Sequence, residues 1–505
     1  MLINAHSWFS FKYGVLSPEQ VLSQVEADGH VHVALTDINC SAGHSEFFRQ
    51  AKYHGVKPVA GIDLRRGLRQ LYVGLARNNE GLHQLNSLLT DELLDGDPLP
   101  EQAPELPDAI ILYPFGGAHI PEQLRVNEFI GVRPGDLNRL RFARHTHPRE
   151  KYVALTSASF RHKADHNTHR LLRAMHNNTL HTMLSTQDIA PLEERFLTVE
   201  ELVRAYAEAP ELLLRTQALL EQCEVDFAFD HSKNRRNWSG DAEEDRRLLH
   251  ELAEQGLHYR YAHPTAVERE RMERELRTVE MKDFVSYFLI NWDLVRFAKS
   301  QGFFHVGRGS GANSLLAYCL GITDVDPIEL DLYFERFINP ARDKPPDFDI
   351  DFSWKDRDHI TRRLFEKYGE GRRVSLLATY STFQPRAIVQ ELGKVFGLPP
   401  YEIAALSEGD GSRPRWIGKG DRLDLGGRRN APAVKDPVVE AIGRYTPRLL
   451  NMPSHLSIHV GGVLISEKPI THYTALHMPP KGFPTTQFSM VEAEDVGLYK
   501  FDILS

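Results

Sequence analysis

Pro345-Pro346-Asp347-Phe348-Asp349-Ile350-Asp351-Phe352 alternates acidic and apolar side chains with a period of two. In a β-strand that period puts Asp347, Asp349 and Asp351 on one face and Phe348, Ile350 and Phe352 on the other. Aspartate is depleted in strands, and parallel carboxylates repel unless something positive lies between them. A divalent cation such as Mg²⁺ is the positive group that suits carboxylate oxygens. The competing reading is a solvated edge strand that uses charge to block aggregation.

Upstream stands Gly307-Arg308-Gly309-Ser310-Gly311-Ala312-Asn313-Ser314, ahead of an expected helix over Leu315–Leu320. Glycines let backbone N–H groups approach phosphate oxygens, and a helix N-terminus adds a positive dipole. Neither P-loop nor dinucleotide spacing is present, so an ordinary turn stays open for this stretch alone. Arg336 and Arg342 precede the acidic strand; they suit a polyphosphate, or they neutralise the aspartates. At the far end, Lys500-Phe501-Asp502-Ile503 repeats the period of two. Asp502 on a neighbouring strand would complete a three-carboxylate site. A phosphate cradle beside paired carboxylates is the equipment of phosphoryl or nucleotidyl transfer.

The chain has 505 residues, 41% hydrophobic and 26% charged, enough for roughly three soluble domains. A net charge of -9 leaves local basic patches open. Cys40, Cys223 and Cys319 form no CxxC pair, which argues against a zinc ribbon or a disulfide framework. No signal peptide opens the chain, and no apolar run nears the roughly 20 residues that span a bilayer, so a cytoplasmic protein is expected.

Short apolar runs at Val31–Leu35, Pro58–Ile62, Leu71–Leu75, Ala109–Leu112 and Tyr152–Leu155 alternate with helical stretches in residues 1–215. That alternation predicts an α/β layer or barrel. Ser17-Pro18-Glu19-Gln20 is a helix start, with Ser17 as N-cap and Pro18 at the first position. Asp283–Ser300 reads as a core-facing aromatic helix. Arg413, Arg415, Lys419, Arg422, Arg428 and Arg429, interleaved with glycine, predict a basic loop in a helical subdomain over 380–456 that suits a phosphate backbone or plain solvent. Residues 457–505 return to strands.

The series GRGSGANS, GITDVDPIELDLYFERFINP, PDFDIDF, HVGGVLI and KFDIL resembles, in order and spacing, the alpha subunits of bacterial DNA polymerase III, of the C family. The first 215 residues resemble that family's N-terminal polymerase-and-histidinol-phosphatase (PHP) domain. The resemblance implies a multidomain α/β protein. A PHP-type (β/α) barrel over 1–215 is followed by a polymerase-beta-like nucleotidyltransferase palm over 216–379 and 457–505, with a thumb inserted at 380–456. Carried over by position, the catalytic, Mg²⁺-binding aspartates are Asp347, Asp349 and Asp502, with Asp351 a neighbour; spacing alone does not choose 347/349 over 349/351. Gly309, Ser310, Arg336, Arg342 and Lys500 fall on nucleotide-binding positions. Carboxylates two apart on a strand lie roughly 6.6 Å apart along the chain. That suits two Mg²⁺ ions about 3.5–4 Å apart.

The implied activity is template-directed addition of dNMP to a primer 3′-hydroxyl. The implied partners are primer-template DNA, dNTPs, a sliding clamp, a separate proofreading exonuclease and other replisome subunits, with no membrane. Two other readings remain: a phosphoesterase or 3′-5′ exonuclease working through the PHP domain, or a non-catalytic DNA-docking piece. PHP metal centres open with His-x-His; here stands Asn4-Ala5-His6. Their Asp-His is Asp37-Ile38, their Glu is replaced by Asp63, and their Asp-x-His by Ala158-Ser159-Phe160. No metal is expected in this domain, and His6, Asp37 and Asp63 are expected to be structural remnants. The family's fingers, clamp-binding region and OB-fold are not in the sequence, so weak or absent extension by this chain alone is expected.

Overall fold

A computed structural model describes residues 1–143, 146–229, 231–338, 346–407 and 437–505, and the backbone of 415–416 and 423–424. Two compact units emerge. The first comprises Met1–Phe227, Tyr380–Ser457 and Tyr473–Ala475; the second comprises Ala228–Thr379, Ile458–His472 and Leu476–Ser505.

The first unit is built on eight strands: β1 (Leu2–Ala5), β2 (His32–Leu35), β3 (Lys57–Arg66), β4 (Arg69–Ala76), β5 (Ala109–Pro114), β6 (Glu128–Val132), β7 (Tyr152–Ala154) and β8 (Ser157–Ala158). They are ordered β7-β6-β5-β4-β3-β2-β1-β8. The end strands β7 and β8 are consecutive, joined only by Leu155-Thr156. A link of three Cα steps spans at most about 11 Å. Eight flat strands would separate those edges by roughly 34 Å. The short link therefore curls the sheet until its edges approach, which is the expected barrel. Most pairs are parallel, but β4 runs antiparallel to β3 and β5. Ser17 caps helix Pro18–Ala27 with a capping box: its hydroxyl accepts from the Gln20 amide at 3.1 Å, and Gln20 Oε1 accepts from the Ser17 amide at 3.0 Å.

Two expected boundaries move. Helix Pro210–Glu221 runs through position 215, and its Leu219 and Leu220, with Cys223, share a core with Ile3, Ala34 and Val59. The unit therefore continues to Phe227. The described residues of 380–456, expected as an inserted helical thumb, group with the first unit. Helices Pro385–Phe396 and Pro437–Leu449 bury Ile388, Leu392, Ile442 and Leu449 against Leu171 and Leu172 of helix Lys163–His176.

The second unit holds β9 (His305–Arg308), β10 (Asp349–Phe352), most of β11 (Val374–Thr382), and, beyond the antiparallel pair β12 (Arg415–Trp416) and β13 (Leu423–Asp424), most of β14 (Pro453–Ile465), then β15 (Leu476–His477), β16 (Thr485–Thr486) and β17 (Phe501–Leu504). Its sheet is ordered β15-β16-β11-β14-β17-β10-β9. One face carries Ile350, Phe352, Phe501 and Ile503 into a core with Tyr287, Phe288 and Leu289. Those three lie on helix Val285–Ser300, the expected aromatic helix.

Gly256, on helix Ala242–Arg260, faces the backbone of helix Leu315–Cys319; a Cβ there would lie 2.3 Å from the Cys319 carbonyl oxygen. Backbone cannot give way as a flexible side chain can, so overpacking here costs about 1–3 kcal/mol. Gly256→Ala is expected to lower the urea midpoint of this unit, followed by tryptophan fluorescence; an unchanged midpoint contradicts the packing.

Candidate functional site

The acidic strand lies where its alternation puts it. In β10, Ile350 and Phe352 are buried while Asp349 and Asp351 remain partly exposed on the opposite face. β17 pairs with β10 in parallel, setting Asp502 level with Asp349. β9 pairs on the other side in antiparallel fashion, setting Arg308 level with Asp349 and Val306 level with Asp351. Asp347 precedes the strand and is exposed. The Phe348 amide between the two aspartates donates to the Tyr287 hydroxyl at 3.2 Å, and the Phe348 and Tyr287 rings stack at 5.6 Å. Burial pushes the Tyr287 phenol up, against the Phe348 hydrogen bond, and Asp347 and Asp502 push it further. It is therefore a neutral anchor.

Among the described residues, two tethered cations face the four carboxylates. Lys500 donates to Asp502 and lies 3.8 Å from Asp347. Burial alone would lower the Lys500 pKa, but Asp502, Asp347 and Asp349 together raise it. Arg308 donates through Nε to Asp351, and its Nη1 lies 3.4 Å from Asp349. The sequence offered Arg336 and Arg342 as neutralisers. Arg336 is exposed, with no ion pair among the described residues, and Arg342 lies outside them. The basic positions Arg413, Lys419, Arg422, Arg428 and Arg429 also lie outside the described residues, as does the Arg415 side chain.

The Gly-rich stretch forms a strand end and a turn. Gly307 and Arg308 belong to β9, and Gly309–Asn313 form a single 3₁₀ turn. Gly309 has φ +77°, which favours glycine, and a Cβ there would sit 2.8 Å from Asp349 Oδ2. Ser310 is partly exposed, and its hydroxyl has no partner among the described residues. The expected contribution of the helix N-terminus is corrected. Buried Glu275 accepts from the Ser314 hydroxyl at 2.8 Å and from the amides of Leu315 and Leu316 at 3.0 Å each. That positive end is already spent on an internal carboxylate. Arg271 locks the arrangement, donating to Glu275 at 2.6 Å and to the Asn313 carbonyl at 2.9 Å. The Arg271/Glu275 spacing, one helical turn apart, was the available signal.

Carboxylate oxygens from Asp347, Asp349 and Asp502 are the donor set a hard cation takes. Among the described residues no three His, Cys, Asp or Glu side chains are already placed around one metal position. With Lys500 on Asp502 and Arg308 near Asp349, a cation enters this set only as those groups turn aside.

In the barrel, His6 and Asp63 belong to a largely buried ring. His6 Nε2 meets Asp63 Oδ2 at 3.0 Å, and His6 Nδ1 meets the Ser159 hydroxyl at 2.8 Å. Ser159 lies 3.4 Å from Glu194, which accepts from the Tyr13 hydroxyl at 3.3 Å. Arg65 closes the ring, 3.4 Å from the Tyr13 hydroxyl, and donates to Asp63 through Nε at 3.0 Å and Nη2 at 2.7 Å. Asp63 Oδ1 has no partner among the described residues. Asp37 sits apart, taking the Ser7 amide and hydroxyl at 2.7 and 2.6 Å and the Ser10 amide and hydroxyl at 3.1 and 2.7 Å. Asn4 bridges Ser157 at 2.8 Å. Arg65 went unread, although it stands two residues after Asp63.

Two family profiles match the chain, one over each part. The profile of the family described as bacterial DNA polymerase III alpha NTPase domain matches residues 247–505, and that of the PHP domain matches 3–225. An error-prone DNA polymerase of Symbiobacterium thermophilum is 29% identical over all of this chain and 51% of its own length. DNA polymerase III subunit alpha of Bacillus subtilis is 29% identical and that of Escherichia coli K12 28%, each over 99% of this chain and 48% and 47% of their lengths. The chain spans about half the length of the curated relatives it matches. No described helix is long and apolar enough to cross a membrane.

The ring carries a pH signature. Burial pushes the Asp63 carboxyl up, but Arg65 and His6 outweigh it and hold it well below the usual carboxylate range. A depressed carboxyl stabilises the fold above its unfolded pKa of about 3.9 and loses that contribution as pH falls. Asp63→Asn leaves Arg65 buried without its counter-charge, at a cost of about 3–5 kcal/mol at pH 7. The gap between variant and wild type in urea unfolding is expected to narrow below about pH 4. A gap independent of pH contradicts this account.

Proposed function

This chain belongs to the bacterial DNA polymerase III alpha family, and from its palm site we propose that it carries the nucleotidyl-transfer centre of a DNA-directed DNA polymerase. The observation that carries the proposal is the level pairing of Asp349 with Asp502 on adjacent parallel strands, with Gly309 packed against one carboxylate and Lys500 against the other. Asp347, Asp349 and Asp502 would hold two Mg²⁺ ions. When bound, these would activate the primer 3′-hydroxyl and offset charge on the triphosphate.

This chain's own groups then do the positioning. The Ser310 hydroxyl, unpartnered among the described residues, and the Gly309 backbone would take triphosphate oxygens. Arg336 offers an exposed guanidinium of the kind that grips phosphate in a fork, and Arg342 is assigned the same role. Lys500, released from Asp502 as the carboxylates fill, would bind the same triphosphate. Tyr287 fixes Asp347 and Asp349 against the core. Residues 380–456 are assigned the role of a thumb that follows duplex phosphates without reading sequence.

For the barrel we propose a scaffold without metal. Arg65 supplies the positive charge beside Asp63, and Asp37 is fully engaged by serines. The setting is cytoplasmic chromosomal replication. The partners are primer-template DNA, dNTPs, a sliding clamp, a separate proofreading exonuclease and other replisome subunits.

The test is Mg²⁺-dependent binding of a fluorescent dNTP to this chain, run beside a labelled primer-template with dNTPs. Asp349→Asn and Asp502→Asn are each expected to weaken dNTP binding at least about tenfold with the unfolding midpoint retained, since both remove a charged ligand. A dNTP that binds equally with and without Mg²⁺ contradicts the assignment. So does a primer that shortens.

A further inference from the structure

Asp351 shares the face of the acidic cluster but falls outside the three aspartates assigned to the cations. Its partner explains its presence. Arg308 faces two carboxylates at once: the one level with it across the β9/β10 ladder, Asp349, and the next on the same face, Asp351. The guanidinium donates through Nε to Asp351 and holds Asp349 only by a longer hydrogen bond from Nη1, at 3.4 Å. Both side chains are about a third or more exposed, Arg308 at 53% and Asp351 at 31%, so the pair is movable and not a buried lock. Gly309 has no side chain to cover Asp349 Oδ2.

We propose that Asp351 is a positioning residue that parks Arg308, drawing the guanidinium off Asp349 so that this carboxylate stays available to a divalent cation. The proposal rests on the reading of the palm given above. Without Asp351, Asp349 is the one described carboxylate left to Arg308 at hydrogen-bond distance, and the guanidinium competes directly with a divalent cation for it. Once parked, Arg308 stands at the mouth of the Gly309–Asn313 turn as a fixed charge facing where phosphates would lie. The same two residues would thus serve cation and triphosphate in turn, with no strand movement.

A double-mutant cycle on cation affinity separates parking from simple charge. Mn²⁺ binding is followed by electron paramagnetic resonance on this chain without nucleotide, counting only the sites lost in Asp349→Asn. Asp351→Asn is expected to weaken Mn²⁺ about three- to tenfold while Arg308 is present, the scale of an exposed charge pair redirected onto the site. In an Arg308→Gln background the same Asp351→Asn change is expected to cost less than about twofold, because nothing remains to be parked. Equal losses in both backgrounds mean that Asp351 acts only through its own negative charge, and overturn the parking role. No loss in either background overturns it as well. If wild type and Asp349→Asn bind the same number of Mn²⁺ ions, the palm reading itself fails, and this proposal with it.

Discussion

The parallel pairing of Asp349–Phe352 with Phe501–Leu504 is the constraint on which the palm depends. It brings together segments from distant parts of the chain, and its register sets Asp502 beside Asp349. The apolar face fixes that register. Ile350, Phe352, Phe501 and Ile503 must all point into the core shared with Tyr287 and Phe288. A slip of one residue would turn the phenylalanines outward and the aspartates inward, at a large cost in both directions. The hydrophobic back of the sheet thus aims the carboxylates at its front.

The chain meets clustered carboxylates twice and neutralises them differently. In the barrel Asp63 and Arg65 are both buried, and a buried pair cannot be broken without leaving a naked charge in a low-dielectric interior. In the palm Arg308 is exposed and Asp349 and Asp351 are partly so, and such pairs are weak and easily exchanged. The first arrangement suits a scaffold. The second leaves its carboxylates free to exchange partners. Glu275 belongs to the first kind: it is fully buried and serves the shape of the Gly-Ser turn while standing outside the face that phosphates would meet.

The period of two around Asp349 and around Asp502 was legible because alternation is a one-dimensional signal, and both segments are strands with the predicted faces. The capping box at Ser17 and the aromatic helix were legible for the same reason. What stayed hidden was pairing at a distance. Arg308 read only as part of a Gly-rich turn, whereas strand β9 sets it level with Asp349. The helix after Ser314 read as a free anion site because Glu275, far upstream, gives no local sign of where its carboxylate goes. The boundary at 215 fell inside a helix because a change from strand alternation to helix is not itself the end of a core; Leu219 and Leu220 still face Ile3.

The most direct measurement is the position of Mn²⁺ in crystals of this chain, located by anomalous scattering. The account predicts anomalous density in contact with Asp349 and Asp502, and none beside His6, Asp37 or Asp63. Density between His6 and the unpartnered Oδ1 of Asp63, with none at the palm, would contradict it.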